Sequence, residues 1–303
     1  MKRRRQRETA RIARSPAMRW TLWGLHWLAV LAVVFVFLIP VLWLLSISFK
    51  PPIEWQAFPP TLVPKKPTFD NYLVLFRPEL PKGTAAAMLR VTEPVTKSFI
   101  NSLIIVPVAT AISVTVGFLA AYAVARFRVG GAFMPFFVLT TRMFPPVAFA
   151  VPLLVYYRWL RLIDTPIGLI IIYAGFTLAF SLWMTKGFIE GVPRHVEEAA
   201  ILDGASPWRV LFTITLPLVK GGLAATTLFV FILNWTEFLY ALIFTSTRSL
   251  TVPVQLSHYV GAVGRFYGPQ AALGVVASVP VVIFGYLIQR YLVAGFSFGL
   301  IRR

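Results

Sequence analysis

Six stretches of this chain, 20–49, 97–125, 132–157, 166–188, 223–244 and 271–294, are apolar over lengths that suit a lipid bilayer. A helix needs about 20 predominantly apolar residues to cross the hydrocarbon core, and all six runs reach that length. With 303 residues that are 58% hydrophobic and only 13% charged, the chain has too little polar surface to cover such segments in water. The expected fold class is therefore an all-α polytopic membrane protein with six transmembrane helices. The first run is far longer than the roughly 7–15 residues of a signal-peptide core and no small-x-small cleavage site follows, so it is expected to remain as a span. Trp20, Trp23 and Trp27 near its start read as an interfacial belt. Pro135, Pro145, Pro146 and Pro152 in the third run free backbone carbonyls, which predicts a broken or kinked helix facing protein or a cavity.

The net charge of +18 invites a nucleic-acid reading, but the placement of the charges argues against it. Residues 1–19 hold eight Lys and Arg against the single Glu8, a composition suited to a cytoplasmic tail on an anionic membrane face. No basic helix or interleaved aromatic platform accompanies them, so nucleic acid is not an expected partner. Across the proposed topology, 17 Lys and Arg fall on one side and 11 on the other, with Arg142 left inside the third run. The positive-inside rule then puts both termini and residues 193–218 in the cytoplasm, and loops 50–94 and 245–270 outside. Cysteine is absent, which excludes disulfides and thiolate chemistry. His26, His195 and His258 are too scattered for a metal site. No G-x-x-x-x-G-K-[ST] loop occurs either, so energy must come from another polypeptide.

Residues 193–218, PRHVEEAAILDGASPWRVLFTITLPL, form the charge-bearing segment between two long apolar runs. Pro193 suits a first helical position, Gly204 a left-handed stop, and Ser206-Pro207 a fresh N-cap and first turn, so a short helix, a turn and a second short helix are expected. Val196, Ala199 and Ala200 share one face, and Trp208, Leu211, Phe212 and Thr215 recur at helical spacing. Small alanines let another surface approach closely, while Arg194, Glu197, Glu198 and Arg209 stand ready for ion pairs at a wet rim. The segment reads as a docking knob; an interfacial hairpin without a partner is the alternative.

Glu198-Ala199-Ala200, Asp203-Gly204-Ala205-Ser206, Ile214 and Leu216-Pro217 resemble the EAA loop of type I ABC importer permeases, in the carbohydrate branch that includes the maltose permeases. The resemblance covers about 95–289. It implies a permease core at 95–290 after a tail (1–19), a first span (20–49) and an external loop (50–94), with a short cytoplasmic tail at 291–303. It also implies that Glu197, Glu198, Ala199, Ala200, Asp203, Gly204, Ala205 and Pro217 couple this chain to an ATPase. The implied partners are a second homologous permease in a heterodimer, two copies of a P-loop ATPase subunit that carry ATP and Mg, an extracytoplasmic sugar-binding protein, the sugar or polyol itself, and lipid of the bacterial inner membrane. No cofactor is expected on this chain. The segment with Gln255, His258 and Tyr259 resembles in place this family's periplasmic loop that reaches the binding protein; a plain surface loop is the alternative.

Ionisable groups inside a membrane are costly and mark function, and the topology leaves two, Arg142 and Glu237. Asn234-Trp235-Thr236-Glu237-Phe238 is similar to the family's Trp-Asn-Glu-Phe element, with Thr236 where Asn usually precedes the Glu. Asn234, Glu237 and Arg142 supply directed hydrogen bonds, and Trp235, Phe238 or Tyr240 a flat surface for a sugar ring. The competing assignment pairs Glu237 with Arg142, or with the partner subunit, to hold the bundle. Two other function classes follow from the same residues: an ion-driven carrier using Arg142 and Glu237 as a relay, and a membrane-embedded glycosyltransferase, which needs clustered carboxylates or histidines at one face.

Overall fold

The computed structural model describes residues 16–77, 94–131, 133–261 and 264–300. Residues 1–15 of the basic tail lie outside the described residues. Among the described residues five helices are long and apolar enough to span a bilayer: Trp20–Ser48, Val95–Phe127, Pro166–Glu190, Pro207–Trp235 and Tyr267–Tyr291. The 132–157 run is divided, as its prolines predict: α4 (Phe133–Thr140) stops before a turn, and α5 (Pro146–Trp159) restarts with Pro146 in its first turn.

Helix α1 (Pro16–Ser48) is exposed along most of its length, Phe37 to 77% and Leu31 to 65%, a surface fit for lipid. Of the expected external loop at 50–94, residues 78–93 lie outside the described residues, and 50–77 is folded. Asn71, on α2 (Asp70–Phe76), donates from Nδ2 to the Ser48 and Lys50 carbonyls at 2.9 and 2.8 Å and closes the helix end. Lys50 is buried, donates to the Thr61 carbonyl and lies 4.6 Å over the Trp43 ring.

The centre of the bundle is α3 (Val95–Phe127) against α6 (Pro166–Glu190). Small residues let the two backbones close in: a Cβ at Gly117 would lie 2.4 Å from the Ser181 Cβ. Hydroxyls bridge the seam, Ser113 to Ser181 at 2.8 Å and Thr177 to Ser113 at 3.0 Å, so these three buried hydroxyls satisfy one another inside the membrane.

Beyond α6 come α7 (Arg194–Leu202) and α8 (Pro207–Val210). The second short helix expected from the sequence is instead the first turn of a span, because α8 runs through a π-helical turn at Leu211–Thr215 into α9 (Leu216–Trp235). That span begins 16 residues before the expected 223–244 boundary (207 against 223) and ends at Trp235. A break at 236–238 precedes α10 (Leu239–Phe244), so Glu237 lies in a helix interruption, not in mid-helix. After α11 (Val252–Ser257), a two-residue antiparallel ribbon, β1 (Val260–Gly261) with β2 (Gly264–Arg265), leads into α12 (Tyr267–Leu300). Helix α12 continues through the expected 291–303 tail as far as Leu300.

Candidate coupling helix and translocation cavity

Helix α7 has two unlike faces. Toward the bundle, Glu197 is only 4% exposed, which corrects its expected place at a wet rim. Its carboxylate takes a two-point contact from Arg126 in the last turn of α3: Nε to Oε2 at 2.5 Å and Nη2 to Oε1 at 3.1 Å. The Thr215 hydroxyl adds a donor to Oε1 at 2.7 Å. Arg126 Nη2 also donates to the carbonyls of Ile189, in the last turn of α6, and of Val192 just beyond it, at 2.8 and 3.0 Å. Four elements therefore meet at one buried ion pair.

The outward face carries Glu198, Ala199, Asp203 and Gly204, all exposed, with Leu202 exposed to 88%. Ala200 and Ala205 are half-buried and Pro217 is exposed. Pro193 proves to be the residue before the helix rather than its first. Gly204 ends the unit at φ +87°, and Ala205 N–H returns to the Ala200 carbonyl at 2.9 Å, so the glycine stop is as expected. Ser206 caps the next helix by accepting from Arg209 N–H at 3.3 Å. Trp208 and Phe212 stack with centroids 6.2 Å apart and remain exposed, while Leu211 and Thr215 are buried, so those four residues divide between two faces.

A cavity of about 370 Å³ opens between the α4–α5 break, α5, α6 and α10. Arg142 and Tyr240 line it with Phe144, Phe149, Tyr157 and Phe176. The other residues expected on the pathway are elsewhere. Asn234 is buried and donates to Thr110 Oγ1 at 3.1 Å, and Trp235 donates to the Ala277 carbonyl at 3.0 Å while stacking on Phe231. Phe238 is 39% exposed in the helix break. Glu237 caps α10, accepting from the N–H groups of Tyr240 and Ala241 at 2.9 and 3.2 Å. It is not paired with Arg142: among the described residues the ion pairs are Arg126–Glu197 and Lys186–Glu190.

At the opposite end of the bundle, Asp164 forms a clasp that sequence reasoning missed. It sits at φ +55°, and its carboxylate accepts from the backbone N–H groups of Ser246, Thr247, Arg248 and Ser249 at 3.0–3.2 Å. Burial pushes this carboxyl up, but the bonds from Arg248, Ser249 and Ser246 outweigh it and hold the group well below the usual carboxylate range. Asn101 secures the same loop through the Arg248 and Leu250 carbonyls, both at 3.0 Å. The loop residues expected to meet a binding protein separate: His258 is exposed, whereas Gln255 and Tyr259 are 2% and 0% exposed, Tyr259 packing among residues of α2 and α12. Burial also raises the pKa of the Tyr259 hydroxyl, which has no hydrogen-bond partner among the described residues.

The described residues thus form a helical membrane bundle, with one two-residue ribbon, a broken helix beside a cavity and a short amphipathic helix at one end, an architecture suited to a transport permease. The family model for the binding-protein-dependent transport system inner membrane component matches residues 113–297, and the chain belongs to that family. It is 35% identical over 269 residues to the trehalose/maltose transport system permease protein MalG of Thermococcus litoralis, covering 88% of this chain and 91% of that one. It is 33% identical over 270 residues to the trehalose transport system permease protein SugB of Mycobacterium tuberculosis, covering 88% and 92%. A solved bacterial ABC transporter involved in the import of the acidic polysaccharide alginate shares the fold, with a TM-score of 0.67 at 21% identity over 91% of this chain and 98% of that one. The chain is thus a multi-pass permease subunit of an ABC importer, a class that works with an ATPase and a binding protein.

Proposed function

We propose that this chain is one of two homologous permease subunits in an importer that carries a sugar or polyol into the cell. Two ATPase subunits bind ATP and Mg, and this chain holds no ATPase site of its own. Both termini lie in the cytoplasm, and an extracytoplasmic binding protein delivers cargo at the end that bears His258. The observation that carries the reading is the outward face of α7, acidic and apolar at once, backed by the buried Arg126–Glu197 pair. A helix so anchored moves with α3, α6 and α9, so closure of an ATPase against Glu198–Gly204 tilts the spans. Glu198, Ala199, Ala200, Asp203, Gly204, Ala205 and Pro217 meet the ATPase; Glu197 holds the helix from behind. Arg142 and Tyr240 face cargo, while Asn234 and Trp235 hold the bundle and Glu237 caps α10.

The names of the relatives, which handle trehalose and maltose, support a carbohydrate cargo. The test is uptake of a radiolabelled sugar panel into proteoliposomes holding the complete importer. Uptake that requires internal ATP and the binding protein and survives a protonophore fits the proposal. Uptake that ignores ATP and collapses with the membrane potential replaces it with an ion-driven carrier.

A further inference from the structure

Arg142, among the described residues, is a cation without a counterion. Among the described residues no carboxylate pairs with it, and the other residues lining its cavity carry no formal charge. An arginine at this depth is costly unless something anionic or strongly polar completes it. Glu237, the other ionisable residue that the sequence places within the membrane, has both carboxylate oxygens engaged by α10 N–H groups.

The guanidinium is nevertheless held in place. Its carbon lies 3.7 Å from the Phe176 ring centroid and 5.2 Å from that of Phe180. Ring contacts of this kind occupy the face of the guanidinium plane, whereas its N–H donors point along the edges. The Nε donor is buried and has no partner among the described residues. A planar fork with no carboxylate partner among the described residues, lining a cavity of about 370 Å³ with Phe144, Phe149 and Tyr240, combines an oxyanion receptor with flat surfaces for a ring.

We propose that this cavity takes a sugar or polyol bearing an oxyanion, such as a carboxylate or phosphate, with the anion on the Arg142 fork and the ring against the aromatic wall. The inference rests on the import function proposed above and narrows its cargo. A neutral sugar leaves the cation uncompensated, so the site discriminates by charge.

Equilibrium binding to the purified, complete importer tests this with labelled glucuronate, glucose 6-phosphate and glucose as probes. The complex is held in nanodiscs of phosphatidylcholine, with and without phosphatidylglycerol. The expected result is saturable binding of glucuronate or glucose 6-phosphate about tenfold or more tighter than glucose. Arg142→Gln abolishes that preference, and Arg142→Lys, which keeps the charge but not the fork, retains part of it. Co-elution of the variants with the ATPase subunit verifies assembly. Equal binding of glucose and the two anions, or an unchanged preference in an assembled Arg142→Gln complex, overturns the inference and leaves the import function standing. Anion binding that phosphatidylglycerol displaces overturns it too, by assigning the fork to a lipid headgroup. Failure of the chain to assemble with any ATPase would instead defeat the import function itself.

Discussion

Arg126 and Glu197 are 71 positions apart in sequence, yet the guanidinium Nε of one lies 2.5 Å from a carboxylate oxygen of the other, with side chains only 8% and 5% exposed. This pair fastens the short helix α7 to the end of α3. Removing one partner of a buried ion pair strands the other charge and costs about 3–5 kcal/mol, whereas replacing both by apolar groups costs far less. Arg126→Gln and Glu197→Gln should each lower the unfolding temperature of the solubilised permease and its yield of ATPase complex. The double variant Arg126→Met with Glu197→Leu should recover much of the loss in unfolding temperature. Additive losses in the double variant would mean the two residues do not act together.

The α3–α6 seam depends on Gly117. An alanine there would bring its Cβ to 2.4 Å from that of Ser181, and overpacking of a rigid core typically costs about 1–3 kcal/mol. Gly117→Ala should destabilise the permease by that amount in thermal unfolding, and Ser181→Gly in the same chain should restore part of it. No rescue would show that the seam relaxes by another route.

Gly204 isolates backbone geometry from packing. Its φ is +87°, yet a Cβ there meets nothing within 4 Å, so Gly204→Ala carries conformational strain of about 1–2 kcal/mol and no clash. The expected outcome is a small loss of fold stability with a larger loss of ATPase affinity, since the turn sets the pose of the exposed face. Comparing unfolding temperature with ATPase co-purification separates the two.

Asp164 fixes the pH dependence of the opposite end. Its folded-state carboxyl is depressed, so its stabilising contribution is fully present above the unfolded value of about 3.9 and is lost as pH falls below it toward the folded value. The stability difference between wild type and Asp164→Asn should therefore stay level from pH 7 to about 5 and shrink only below about pH 4. A difference that already fades near pH 6 would show that the clasp is not what Asp164 contributes.

Much of the architecture could be read from the chain because lipid demands long apolar runs and Pro145-Pro146 cannot sit in an unbroken helix. The helix-stop chemistry of Gly204 and Ser206-Pro207 was equally legible, being local. What escaped was rotational position. A span that is apolar all round carries no 3.6-residue stripe to say which face is inward, so Asn234 and Trp235 gave no sign that they pack toward Thr110 and Ala277. Contacts distant in sequence escaped for the same reason: nothing near Arg126 or Asp164 marks Glu197 or the 246–249 loop as its partner. The continuity of α8 with α9 was hidden because Ser206-Pro207 starts a long helix as readily as a short one.

The absence of cysteine makes one experiment clean, because Ala199→Cys introduces the sole thiol of the chain, on the exposed face of α7. Coupling through this helix predicts that a thiol-anchored photocross-linker at that position captures the ATPase subunit in the assembled importer. The cross-link should stop ATP-driven uptake, and the thiol should be shielded from membrane-impermeant maleimide added outside intact cells. Labelling from the outside, or undiminished uptake with no ATPase captured, would contradict it.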